Sequence, residues 1–113
     1  MPINEWSESI LIAEMNDEPQ FSEEMDALHR RLENAGDQVP DVIIDMKAVT
    51  YLNSSNIAQL LRLRKMVTTG QARLRICSLA DPVWSVLLIT GLDKVFEFTD
   101  DVSTSLASLQ LGL

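Results

Sequence analysis

Residues 41–70 read DVIIDMKAVTYLNSSNIAQLLRLRKMVTTG, and this stretch decides how the rest of the chain folds. Its first six residues are mostly β-branched or aliphatic and too few for a helix, which favours a strand covered on both faces. A turn follows over residues 51–56, and apolar residues then recur at helical spacing as far as Gly70. The stretch therefore predicts a central strand that leads through a turn into an amphipathic helix.

Two serines, Ser54 and Ser55, fall at the predicted start of this helix, which should run to about Thr69. The first backbone N–H groups of a helix have no intrahelical acceptors, and the helix dipole is positive there, so a phosphate on either hydroxyl could be held. Serine is also an ordinary helix N-cap residue. The pair therefore indicates either a phosphorylation switch or a structural cap.

Strand and helix patterns alternate along the rest of the chain. Strands are predicted at residues 9–15, 41–46, 72–79 and 95–99, and helices at residues 22–36, 54–69, 82–90 and 102–109. Ser22 and Asp81 are the expected N-caps of two helices, and Asp100 with Asp101 should cap the last. The alternation predicts βαβ units with right-handed crossovers and a largely parallel sheet.

The predicted helix at 54–69 has one broad apolar arc. At roughly 100° per residue the arc contains Ile57, Leu60, Leu61, Leu63 and Val67. Arg64 falls inside the same arc, and its aliphatic stem is expected to pack while its charged head reaches the edge. We therefore expect the arc to face the sheet.

Composition limits the class of protein. The 113 residues suit a single domain spanning 1–113, with a core at about 9–110, and the single cysteine excludes a disulfide framework. No apolar run approaches the roughly 20 residues of a membrane helix, and the N-terminus does not resemble a secretory signal, so we expect a cytoplasmic protein without membrane insertion. A net charge of −8 argues against direct nucleic-acid binding.

Charge is also unevenly distributed. Up to Asp26 there are eight acidic and no basic residues, whereas between Met46 and Ala80 there are six basic and no acidic ones. These segments are either solvated faces or docking patches, and self-association through them, including a homodimer, stays open.

Catalytic constellations are hard to assemble from this chain. The only histidine, His29, has no partner at a ligand spacing, and Cys77 lies in a strand pattern typical of a packed residue, so neither a metal site nor a thiol nucleophile is expected. The four glycines are scattered singly and form no phosphate loop. Trp6 and Trp84 are interpreted as core or partner-contact residues. We therefore expect a binding protein, without a cofactor, and not an enzyme.

Three motifs stand out together: the strand DVIIDM at 41–46, the segment VTYLNSSNI at 49–57, and LITGL at 88–92 with Phe96. In this order they resemble the STAS domain, the family of sulfate transporter tails and bacterial anti-sigma factor antagonists. The resemblance extends from about Ile10 to Leu109. It implies an α/β fold with a mixed, largely parallel sheet and about four helices packed mainly on one side.

The resemblance also implies a function. In the family a serine at the helix start is phosphorylated by a partner kinase that doubles as the anti-sigma factor, and phosphorylation abolishes binding. By motif position that serine is Ser54, with Ser55 the second choice, and a phosphatase is a further candidate partner. The usual Asp-Ser-Ser-Gly reads Asn53-Ser54-Ser55-Asn56 here. The carboxylate before the acceptor is thus a neutral amide, which favours slow or lost phosphorylation.

Two functional hypotheses follow. In the first, a surface formed by Asn53, Ser54, Ser55, Asn56, Gln59 and Arg62 docks an anti-sigma factor with serine kinase activity. In the second, motivated by the missing aspartate, the chain is a non-phosphorylated adaptor in a stress-signalling scaffold or a lipid or anion transport complex. Small-ligand binding is a third possibility that no motif supports.

Overall fold

The computed structural model describes residues 3–112, so Met1, Pro2 and Leu113, the ends of the predicted domain, lie outside the described residues. Within that range the chain forms five β-strands, four α-helices and one 3₁₀ turn. The strands are β1 (Ile3–Ser7), β2 (Ile10–Asn16), β3 (Asp41–Ala48), β4 (Leu74–Cys77) and β5 (Phe98–Thr99). The helices are α1 (Gln20–Asn34), α2 (Ser54–Thr69), α3 (Asp81–Ile89) and α4 (Val102–Leu111), with the 3₁₀ turn at Leu92–Lys94.

The strands form one mixed, mostly parallel sheet in the order β1-β2-β3-β4-β5. Strands β2 to β5 pair in parallel, and β1 pairs antiparallel with β2. The DVIIDM strand is central and buried on both faces, as its composition predicts. The α/β fold expected from the sequence is therefore confirmed.

The two faces of the sheet are covered unequally. Helices α1, α2 and α3 pack on one face over a large core that includes Leu11, Ile44 and Ile76. Helix α4 covers part of the other face, where Leu109 packs with Ile43 and Cys77. Helices thus lie mainly on one side, as predicted, and the parallel strands bring the starts of all four helices to one edge.

Strand β1 was not predicted, because its five residues are mostly polar and only Ile3 contributes to the main core. It is an edge strand with an irregular register between Glu5 and Ser7. An ion pair between Glu5 and Arg31 ties this edge to α1. An exposed edge can be polar on most positions, which is why alternation was too weak to detect it.

Two predicted N-caps are wrong. Ser22 is inside α1, which starts after Pro19, and its N–H and hydroxyl both donate to the Glu18 carboxylate at 2.7 Å. Asp81 is the first residue of α3, and Ala80 occupies the cap without a side-chain bond. Asp101 does cap α4 as expected, because its carboxylate accepts from the Thr104 N–H at 2.7 Å.

Two further expectations need correction. The strand expected over 95–99 is reduced to Phe98–Thr99, because the preceding residues leave a 3₁₀ turn. Leu61 is 39% exposed, since the buried line of α2 consists of Leu60, Leu63 and Val67 at spacings of three and four. Arg64 reaches the edge as predicted, where its Nε donates to the Val95 carbonyl at 3.0 Å.

Gly70, the C-cap of α2, is glycine for a steric reason. A Cβ at Gly70 would lie 2.5 Å from a methyl of Val39. The left-handed residue that closes the helix is Gln71, with φ 60°, and the Gln71 and Ala72 amides bond back to the Thr68 and Val67 carbonyls. This is the Schellman arrangement, with glutamine where glycine is usual.

Candidate docking surface at the start of helix α2

Helix α2 starts at the edge of the sheet where the parallel strands end. Asn53 is its N-cap, with an extended backbone. The Asn53 Oδ1 accepts from the Asn56 N–H at 2.8 Å, and the Asn56 Oδ1 accepts from the Asn53 N–H at 3.1 Å. The two asparagines therefore form a reciprocal capping box, made with amides where a glutamate or glutamine commonly supplies the second half.

Ser54 and Ser55 are the first two residues of α2, and both are exposed. The capping box satisfies the Asn56 amide, and the Asn53 carbonyl accepts from the Ile57 amide at 3.1 Å. Helix geometry leaves the Ser54 and Ser55 amides without an intrahelical acceptor. Because Asn53 supplies the cap, neither serine is needed for that role. Their hydroxyls stand beside two amides and the positive end of the helix dipole, an arrangement that suits an anion.

Asn56 and Gln59 face inward more than the sequence suggested. The Asn56 side chain is 1% exposed, and its Nδ2 lies 3.4 Å from the Gln59 Oε1. The half-buried Gln59 donates through Nε2 to the Ser22 hydroxyl at 3.1 Å, and Ser22 donates to Glu18. A continuous chain of polar contacts therefore connects the cap of α2 to the start of α1.

A second contact holds the two loops at this edge together. The Asp17 carboxylate accepts from the Thr50 N–H at 2.8 Å and from the Thr50 hydroxyl at 2.6 Å. These bonds hold the pKa of Asp17 below its usual value, and the bonds from Ser22 do the same for the pKa of Glu18. Two ionised carboxylates are consequently fixed in the loop beside the serine turn.

Arg62 is exposed on α2, as the predicted surface requires, and Tyr51, 46% exposed, precedes the turn. His29 of α1 is buried, and its Nε2 has no hydrogen-bond partner among residues 3–112. Burial first, and then the positive charge of Arg62, lower the pKa of His29. His29 is thus a neutral part of the packing between α1 and α2.

The other candidate residues lie apart from this surface. Cys77 is fully buried and its pKa is raised by burial, which disfavours the thiolate. Trp84 packs edge-to-face on Phe98 with ring centroids 5.1 Å apart, whereas Trp6 is 47% exposed on β1. In the described part of the chain, no three His, Cys, Asp or Glu side chains converge as metal ligands. Residues 3–112 also contain no helix that is long and apolar enough to cross a membrane.

Sequence reasoning missed the loop before α1. Asp17 and Thr50 are 33 positions apart, and Ser22 and Gln59 are 37 apart, so no local spacing connects them. The parallel sheet order was the available signal, because it places the ends of β2 and β3 side by side.

The fold and the turn define a class of protein: α/β domains that expose serines at a helix start beside the end of a central parallel strand. The sequence matches the STAS domain family over residues 5–105. The chain therefore belongs to the STAS family.

Solved structures agree with this assignment. An anti-sigma-factor antagonist (STAS) domain protein from Planctomyces limnophilus superposes with a TM-score of 0.81 at 18% identity, over 96% of each chain. RsbS from Moorella thermoacetica, carrying a serine-to-glutamate substitution, gives 0.73 at 18% identity, over 97% of this chain and 96% of that one. The Bacillus cell fate determinant SpoIIAA in its phosphorylated form gives 0.68 at 11% identity, over 94% and 95%. At these identities the likeness establishes the fold.

Proposed function

We propose that this domain is a regulatory interaction module of the anti-sigma factor antagonist type, which acts in the bacterial cytoplasm by binding and not by catalysis. Its partner is an anti-sigma factor with serine kinase activity, and Ser54 is the phosphate acceptor. A phosphatase then resets the switch. The main support for this proposal is that the exposed Ser54 hydroxyl lies beside the N–H groups of Ser54 and Ser55, which have no intrahelical acceptor.

The docking surface in this proposal is formed by exposed Asn53, Ser54, Ser55 and Arg62, with Tyr51 at its margin. Asn56 and Gln59 contribute from below, because their contacts fix the cap and the angle between α1 and α2. The surface is therefore held by the fold before a partner arrives, which lowers the ordering cost of binding.

Phosphorylation changes this surface through charge. A phosphate adds roughly −1.5 to −2 charges in the middle of the contact area. The carboxylates of Asp17 and Glu18 are held in the neighbouring loop, so the added charge enters a region that is already acidic. A partner whose surface fits the uncharged serines would have to desolvate the phosphate or would be repelled by its charge. Binding is therefore lost.

The test uses the cognate kinase with ATP and follows intact mass. Addition of one phosphate to the wild type, its loss in Ser54→Ala and its retention in the matched control Ser55→Ala support the proposal. An undiminished mass gain in Ser54→Ala, or no gain in the wild type, contradicts the acceptor role of Ser54. Binding of the kinase is measured separately by calorimetry before and after modification.

Asn53 favours a second candidate function. A neutral amide stands where the resembling family usually has a carboxylate, so a kinase would lose a group that positions the hydroxyl or a metal ion. In that case the domain serves as a constitutive adaptor of a signalling scaffold or transport complex. Stoichiometric recovery of membrane transport ATPase subunits in a native pull-down supports the adaptor, and recovery of a kinase-type ATPase supports the switch.

A further inference from the structure

A groove lies at the opposite end of α2 from the serines, between the last turns of α1 and α2. It is open to solvent and has a volume of about 670 Å³, within the range of small-molecule sites. Leu32, Val39 and Met66 form its apolar floor, and all three also pack on the main core. The groove is therefore a shaped feature of the core edge with an apolar base.

Two glycines lie at the chain reversals that line the groove. Gly36 adopts φ 62° after α1, and nothing lies within 4 Å of where its Cβ would be. Gly70 allows Val39 to lie directly against the end of α2, since a Cβ there would collide with Val39. The groove is thus open beside Gly36 and closely packed beside Gly70.

The polar rim of the groove is mainly negative. Glu33 and Asp37 are exposed at the rim, and within residues 3–112 neither carboxylate forms an ion pair or a hydrogen bond. Two helices also end here, and a helix C-terminus attracts cations. Lys65 is the single basic residue of the lining. The negative charge of the two carboxylates and two helix ends therefore exceeds the positive charge of the one ammonium group.

We propose that this groove binds a small amphipathic amine. The apolar chain of the ligand lies on Leu32, Val39 and Met66, and its protonated amine is placed between Glu33 and Asp37. The site is independent of the proposed phospho-switch, because the 16-residue α2 separates them by about 24 Å.

The probe is hexylammonium, followed by ¹H–¹⁵N correlation spectra of the isotope-labelled chain. We expect saturable shifts confined to the amides around Gly36, Asp37, Gly70 and Gln71. Hexanoate has the same apolar chain with the opposite charge, and ammonium has the charge without the chain. Neither should shift these amides at the same concentration.

Variants of the rim test the charge assignment. Glu33→Gln with Asp37→Asn should weaken hexylammonium binding roughly three- to tenfold, and Lys65→Gln should strengthen it about twofold. Glu23→Gln with Asp26→Asn removes the same net charge from α1 away from the groove and should leave the affinity unchanged. Equal binding of hexanoate, shifts scattered over the surface, or equal weakening in the control pair would overturn the proposal.

Discussion

At the scale of single residues, Asn53 separates two properties that an aspartate would combine. Its Oδ1 caps α2 through the Asn56 amide at 2.8 Å, which a carboxylate oxygen would also do. What the amide lacks is the negative charge next to Ser54 and near the positive end of the helix dipole. Capping of the turn is therefore independent of a negative charge next to Ser54.

Asn53→Ala should lower the free energy of unfolding by about 1 kcal/mol, because it leaves the Asn56 amide without its cap. Asn53→Asp keeps the cap and adds a charge that the dipole favours, so we expect a gain of about 0.3–1 kcal/mol. Urea denaturation at pH 7 measures both, with exposed Ser55→Ala as the control. An unchanged midpoint in Asn53→Ala would show that the cap does not contribute to stability.

Gly70 gives a second prediction at this scale. Gly70→Ala should destabilise by about 1–3 kcal/mol, because the new Cβ would lie 2.5 Å from Val39 and the packing must shift. Combining it with Val39→Gly should recover part of the loss, because Val39→Ala would keep a Cβ only 2.6 Å from the new one. A double-mutant cycle measures the coupling. Gln71→Gly, the neighbouring control, should stabilise by about 0.5–1 kcal/mol, since Gln71 has φ 60°. Additive effects of the Gly70 and Val39 changes would contradict the proposed collision.

At the scale of elements, His29 of α1 lies at the interface with α2, and its buried Nε2 has no hydrogen-bond partner among residues 3–112. Arg62 approaches from α2, and Asp26 and Glu33 approach from α1. Burial and the Arg62 charge lower the pKa of His29 more than a backbone hydrogen bond with Gln59 and the two carboxylates raise it. The folded protein therefore binds a proton on His29 less readily than the unfolded chain does.

The free energy of unfolding should therefore fall as the pH drops below about 6.5, the pH near which the unfolded chain takes up its proton. The loss continues until the pH reaches the lowered pKa of His29 in the folded state. His29→Gln should remove this pH-dependent part, which denaturant titrations between pH 8 and 5 measure. A wild-type curve identical in shape to that of His29→Gln would refute the assignment.

The sequence predicted most elements and missed how they connect. Apolar patterns located α2 from Ser54 to Thr69, since burial imposes helical periodicity on Leu60, Leu63 and Val67. N-caps were harder to predict, because the side chain that accepts from a first-turn amide of α1 is Glu18, which lies outside the helix, and not Ser22. The link from Ser22 to Gln59 joins two helices and depends on their packing, which no local pattern reports.

At the scale of the whole molecule, α4 covers part of the second face of the sheet. Leu109 is 3% exposed there beside fully buried Cys77, while Leu111 of the same helix is 71% exposed. The thiol therefore reports whether this layer stays attached, because a reagent reaches it only when α4 moves away.

An aromatic disulfide reagent should react with native Cys77 far more slowly than with the urea-unfolded chain, since the thiol is buried and its pKa is raised. Leu109→Ala should accelerate the native reaction at least about tenfold, because losing a buried leucine costs about 2–5 kcal/mol of packing. Leu111→Ala is the matched control and should have little effect. Native reactivity equal to that of unfolded protein would show that α4 does not protect the thiol.

The reciprocal bonds of Asn53 and Asn56 also make the two evolutionary changes that separate this turn from the usual Asp-Ser-Ser-Gly unequal. Exchanging Asn53 for aspartate preserves an acceptor for the Asn56 amide, so that step leaves the turn intact. Exchanging Asn56 for glycine, before or after it, removes the acceptor of the residue-53 amide and the contact with Gln59 in one step. Acquiring a charge before the serines therefore costs this turn less than acquiring a glycine after them.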